Sequence, residues 1–149
     1  MEYEIVCRDA FAVAGVRGVT PEAGGVWRQL KADGGLKALR DLVGSDSPLL
    51  GLCFGFDAGG KNDNMVGFPL RGGAPDGCEV FRYPACRWFV VTAEGKISAL
   101  TLRRTWQWVH SELIDGGMIV PREAPTIEEY ALWDEAADRC KIRLWIPVY

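Results

Sequence analysis

The chain is predicted to fold as an α+β domain in which a β-α-β-β unit is used twice, giving an antiparallel sheet with two main helices on one face. Three observations predict this. Short runs rich in β-branched and aromatic residues alternate with Gly, Pro, Asn and Asp turn signals, the pattern of strands. One long segment, Ser98 to Ile114, places Leu102, Trp106, Val109 and Leu113 at helical spacing. The elements also recur in order: a strand, a helix and two strands in the first half match a strand, a helix and two strands in the second. Two such units leave a groove at their pseudo-twofold seam on the side away from the helices, a natural place for a small molecule.

From Tyr3 to Val19 the residues Ile5, Val6, Phe11, Val13, Val16 and Val19 read as one long, bent strand, with Gly15 and Gly18 marking a bulge or a close backbone approach. Thr20 then reads as the cap of a helix with Pro21 in its first position and Glu22 in its first turn. Val26, Leu30, Leu36, Leu39 and Leu42 continue at helical spacing, and Gly34-Gly35 breaks or kinks the run. Leu49 to Phe56 is a compact apolar strand. Asp57 to Gly77 is rich in loop residues, with a short strand expected at Met65 to Leu70. Two more strands, Cys78 to Tyr83 and Cys86 to Thr92, meet at Pro84-Ala85. After the clear helix, in which Trp108 falls opposite the apolar stripe, Asp115-Gly116-Gly117 stops the run. The last strands are Pro125 to Trp133 and Lys141 to Val148.

With 149 residues, 48% hydrophobic and 25% charged, the chain fits one domain with a sizeable core, over residues 1–149. No apolar run approaches the roughly 20 residues of a membrane helix, and the N-terminus lacks a basic and then apolar leader, so a cytoplasmic location is expected. A net charge of −3 argues against direct nucleic-acid binding, since the nearest basic cluster is the pair Arg103 and Arg104, read as a solvated helix face. The five cysteines (Cys7, Cys53, Cys78, Cys86 and Cys140) are scattered without a C-x-x-C pair, so no metal or cofactor is expected and most are read as small buried apolar residues. The one histidine, His110, lies on the helix and is read as solvated or capping.

The sequence Thr126-Ile127-Glu128-Glu129-Tyr130-Ala131-Leu132-Trp133 is the exception in this ordinary composition. Strand alternation puts Glu128, Tyr130 and Leu132 on one face, and Ile127, Glu129, Ala131 and Trp133 on the other, so one carboxylate must point inward. An inward carboxylate costs several kcal/mol unless a cation, a proton or hydrogen-bond donors meet it. Alternation alone does not choose between Glu128 and Glu129.

Six segments in order, Tyr3 to Val6 with Val13 to Val16, Val26 to Leu30, Gly77 to Val80, Tyr83 to Trp88, Pro125 to Tyr130 and Trp145 to Val148, resemble the GyrI-like small-molecule-binding domain, which also serves as the effector-binding part of some AraC-type and MerR-type regulators. The resemblance spans nearly the whole chain. It implies that the glutamate in the pattern Ile127-Glu128-Glu129-Tyr130, namely Glu128, lies at the floor of an aromatic pocket and meets cationic ligands. Tyr130 and Trp88 are then the first pocket candidates, with Trp108 and Phe56 as further ones. A small amphipathic or cationic molecule is the implied partner, and a homodimer or a protein partner is left open. The regulators carry a helix-turn-helix before this module, whereas here the module begins at Tyr3, so a stand-alone member is expected. Two other readings follow from the same resemblance: a hydrolase of electrophilic small molecules with Glu128 as general base and Tyr130 orienting it, and a protein-interaction role such as modulating a topoisomerase.

Overall fold

The two-residue alternation that runs through the chain is realised in eight strands, described for residues 2–44 and 47–149 by a computed structural model. They are β1 (Tyr3–Arg8), β2 (Phe11–Thr20), β3 (Leu50–Phe56), β4 (Asn62–Pro69), β5 (Glu79–Tyr83), β6 (Cys86–Gly95), β7 (Thr126–Asp134) and β8 (Arg139–Val148). Three α-helices join them, α1 (Gly25–Asp33), α2 (Gly35–Val43) and α3 (Thr101–Trp108), and a π-helical turn over Val109–Ile114 continues α3. The strand pairs β1/β6, β6/β8, β7/β8, β2/β4, β2/β5 and β3/β4 are all antiparallel, so the fold class is α+β. No helix among the described residues is long and apolar enough to cross a membrane. The chain divides into two compact units, Ala10–Pro84 and a second made of Met1–Asp9 with Ala85–Tyr149.

In the unit Ala10–Pro84 the strands lie in the order β5-β2-β4-β3. Helices α1 and α2 cover one face, where Val26, Leu30 and Leu39 pack on Ala14, Val66 and Phe68. The two helices part at Gly34, whose φ of 80° is the left-handed conformation that glycine adopts without strain. Gly15 opposes Gly67, and a Cβ added to Gly15 would lie 2.2 Å from the Val66 carbonyl oxygen. The expected close approach is therefore real. One residue, Phe54, is extra where β3 bulges between Cys53 and Gly55, and the Arg17 guanidinium stands 3.7 Å from its ring while donating two hydrogen bonds to Asp63.

In the other unit the order is β1-β6-β8-β7. Its core joins Phe89, Val91 and Ala93 of β6 to Ile142, Leu144 and Ile146 of β8, under Val109 and Leu113 of the π-helical turn. The start of α3 is tied to the β7–β8 turn: Asp138 accepts hydrogen bonds from the Ser98 amide, at 2.8 Å, and from the Ser98 hydroxyl. Thr101 Oγ1 donates to the Lys96 carbonyl oxygen in the same corner.

Several expectations are revised. The long N-terminal strand is two strands broken at Asp9-Ala10, because β1 takes its hydrogen bonds from β6 and β2 takes its own from β4 and β5. Thr20 does not begin a helix: it is held in β2 opposite Asn62, its hydroxyl donates to the Glu22 carbonyl, and α1 starts only at Gly25. The strand expected at Met65 to Leu70 begins earlier, at Asn62. The predicted single helix from Ser98 to Ile114 is α-helical only over Thr101–Trp108, and the buried stripe is Thr105, Val109 and Leu113. Trp106 and Trp108 flank that stripe on either side, each half-covered. Of the cysteines, Cys140 is buried, but Cys7, on a strand with one neighbour, and Cys53, beside the β3 bulge, are exposed. Arg103, Arg104 and His110 are exposed, as a solvated helix face requires.

Replacing Gly15 by alanine is expected to destabilise the protein by about 1–3 kcal/mol, because the added methyl meets backbone that cannot swing away. A thermal melt of Gly15→Ala checks this, and an unchanged midpoint would show that the β2/β4 spacing is wider than described.

Candidate functional site

Register on β7 decides where its two carboxylates go. Glu128 pairs with Leu144, a core residue under the helical layer, so its side chain points to the α3 side. There the Trp106 Nε1–H donates to Glu128 Oε2 at 2.6 Å, and the Tyr130 hydroxyl donates to Glu128 Oε1 at 2.8 Å. Glu129 pairs with Arg143 and points to the opposite face, where its Oε1 accepts from Trp145 Nε1 at 3.1 Å and from Arg143 Nη1 at 3.5 Å. The Arg143 guanidinium also meets Glu4. The adjacent acids are thus treated differently: Glu129 has a cation beside it, and Glu128 is held by two neutral donors.

The electrostatics follow from that geometry. Withdrawal from water pushes the Glu128 carboxyl above its ordinary value of 4.5, and the bonds from Trp106 and Tyr130 pull part of the way back. Burial, and then the neighbouring Glu128 charge, hold the Tyr130 phenol well above its ordinary value of 10.0. Tyr130 therefore remains a proton-bearing donor over the whole physiological range.

A bulge changes the second half of β7. Tyr130 pairs with Ile142 and Leu132 with Lys141, which leaves Ala131 as an extra residue and inverts the alternation beyond it. Trp133, expected on the face of Glu129, pairs instead with the buried Cys140 and shares the face of Glu128. Its ring stands edge-on to Tyr130, with centroids 5.9 Å apart. His110 lies 5.9 Å from the Trp106 ring on the same helical layer.

The structure thus joins Glu128 to Tyr130 and adds Trp106, Trp133 and His110, which sequence reasoning did not place there. Trp106 was counted in the core stripe, and the signal that would have moved it is chemical, since a half-buried indole N–H looks for an acceptor. Trp88 is fully buried on the other face of the sheet, edge-on to Trp145 at 6.0 Å, and so is separated from Glu128 by β8 and its own strand. Trp108 packs against the core of the same unit, on the side of the buried stripe opposite Trp106. Phe56 belongs to the unit Ala10–Pro84, where it closes β3 and is 73% exposed. The acid was expected to floor a groove on the helix-free side, whereas within its unit it faces α3. Among the described residues no group of three or more His, Cys, Asp or Glu side chains converges to hold a metal.

Over residues 1–149 the chain matches a family described as the GyrI-like small molecule binding domain. The chain belongs to the GyrI-like family. No curated protein sequence matches it. Solved structures similar to this GyrI-like chain include SAV2435 bound to tetraphenylphosphonium, with a TM-score of 0.79 and 20% identity over 100% of this chain and 94% of the other. The C-terminal domain of EcmrR gives a TM-score of 0.69 at 12% identity, covering 99% of this chain and 97% of the other. The integron cassette protein VCH_CASS2 from the mobile metagenome of Vibrio cholerae gives 0.58 at 14% identity, covering 99% and 95%. At these identities the likeness is one of fold.

The raised Glu128 carboxyl fixes the sign of a pH effect in this GyrI-like domain. Above the ordinary carboxylate value the unfolded chain releases this proton before the native state does, so stability falls as pH rises toward the raised native value. Relative to wild type, Glu128→Gln is therefore expected to gain thermal stability as pH rises from about 4, in the ordinary carboxylate range, until pH passes the raised native value. Melting both proteins across that range checks this; a difference that stays flat, or shrinks with rising pH, would show that Glu128 is not desolvated.

Proposed function

We propose that this domain binds amphipathic organic cations, with Glu128 supplying the charge and the surrounding rings supplying apolar and cation-π contact. The observation that carries the reading is that Glu128, part-buried, is met by Trp106 and Tyr130 and, among the described residues, not by a cationic side chain, while Glu129 next to it has Arg143. A desolvated carboxylate held only by neutral donors keeps most of its field for an incoming cation, and aromatic faces add attraction to a delocalised charge. Such recognition needs few fixed hydrogen bonds, which suits a range of cations. SAV2435, a protein of the same fold, is bound to tetraphenylphosphonium.

The repeat supports the same reading. Both units connect a strand, a helical segment and a hairpin, and both hairpins bulge in their first strand, at Phe54 and at Ala131. We take them as copies of one β-α-β-β unit. Aligning the two bulges places Gly51 where Glu128 stands and Cys53 where Tyr130 stands. The fold itself therefore has no need of an acid at this position, which points to a role in binding. A second reading rests on the raised carboxyl beside Tyr130, which would also suit a general base acting on water; turnover of an electrophilic small molecule, lost in Glu128→Ala, would favour it. Membership of the effector-binding class, with a regulatory role, is part of the proposal and rests on the EcmrR likeness.

Quenching of tryptophan fluorescence by tetraphenylphosphonium tests the binding reading. Micromolar binding is expected, weakened roughly tenfold or more in Glu128→Gln, the equivalent of about 1.4 kcal/mol. Because the probe is a permanent cation, its affinity should rise with pH as Glu128 ionises and stay flat in the variant. Binding that ignores both the substitution and the pH would remove Glu128 from the site.

A further inference from the structure

We infer that Trp133 is the specificity-determining wall of the Glu128 site, selecting aryl cations over alkyl cations of the same charge; this rests on the binding reading above. The first ground is the β7 bulge. Without the extra Ala131, Trp133 would lie on the face of Glu129; with it, Trp133 shares the face of Glu128 and Tyr130. Bulges of this kind re-aim a side chain at the cost of a local break in the ladder, and they are concentrated next to functional sites. The second ground is continuity. The Trp133 ring meets the Tyr130 ring edge-on at 5.9 Å, and the Tyr130 hydroxyl meets Glu128, so one aromatic path leads from the surface to the carboxylate.

Exposure is the third ground. Trp133 is 45% exposed, and a half-open indole standing against the Tyr130 ring, which itself holds the acid, offers its face to a ring that arrives with a positive charge. The other unit provides an internal comparison. Counting from its bulge, the place of Trp133 is taken by Phe56, again an aromatic, again exposed, and on the helix-covered face of its sheet. There the place of Glu128 is Gly51, so the aromatic is present without the acid. An aromatic at this position recurs, and in the unit of Trp133 the place of Gly51 is taken by an acid.

Isothermal titration calorimetry of the full chain with tetraphenylphosphonium and with tetrabutylammonium separates the possibilities without depending on the removed fluorophore. Trp133→Leu is expected to weaken tetraphenylphosphonium about fivefold to tenfold, to leave tetrabutylammonium within about twofold, and to be rescued by Trp133→Phe. Glu128→Gln is expected to weaken both. Equal weakening of the two cations by Trp133→Leu, or no weakening of either, overturns the role of Trp133 while leaving cation binding intact. Failure of the wild type to bind either cation, or binding untouched by Glu128→Gln, overturns the cation reading and this inference with it. Trp133 is half-exposed, and a thermal melt of Trp133→Leu within a few degrees of wild type confirms that the comparison is between folded proteins.

Discussion

A carboxylate that leaves water needs a proton, a cation or hydrogen-bond donors, and among the described residues Glu128 is met by two neutral donors. That requirement reaches well beyond β7. The indole of Trp106 is delivered from α3, whose start is fastened at Ser98 and Thr101 and whose centre is buried through Thr105. The Tyr130 hydroxyl must stay protonated, and the same burial that raises Glu128 ensures it. The π-helical turn that follows Trp108 keeps Val109 and Leu113 in the core while the wider turn sets the exit of the helix. Donor geometry, helix anchoring and core packing therefore meet at one part-buried carboxyl group.

The opposite face of the same sheet shows the conventional solution. Glu129, one residue along, is compensated by Arg143, which in turn is shared with Glu4, and the Trp145 ring lies under the guanidinium at 4.9 Å. There the chain itself supplies a cation to the strand acid. The contrast between two adjacent residues of identical chemistry is made by backbone alternation alone, with no change of side chain.

Most of the element order could be read from the chain, because strand alternation and helical spacing are local patterns: β3, β5, β6 and β8 fall where Leu49 to Phe56, Cys78 to Tyr83, Cys86 to Thr92 and Lys141 to Val148 indicate. Errors arose where a partner decides. Nothing local in Asp9-Ala10 tells that the chain leaves one set of hydrogen bonds for another, and Thr20-Pro21 carries a good helix-start signal that pairing with Asn62 overrides. The placement of the candidate residues was legible to the same extent. The choice of Glu128 needed a family pattern in addition to alternation, and its pairing with Tyr130 agrees with the i, i+2 rule. Trp133 was misplaced because a one-residue bulge at Ala131 is invisible to period-two counting, and Trp88 because pairing across β6 and β8 assigns its face.

The pairing of β1 with β6 has a further consequence, which concerns the order in which this chain can assemble. One unit is continuous, Ala10–Pro84, and every strand it pairs is available once Tyr83 has been synthesised. The other contains the first strand and the last, separated by that whole unit, so β1 has no ladder to join until Cys86 to Gly95 has emerged. During synthesis the apolar segment Tyr3 to Val6 waits through some eighty residues of other folding, a long-range closure that slows assembly and leaves a strand open to wrong partners. Glu4 and Arg8, interspersed in that strand, keep it charged while it waits.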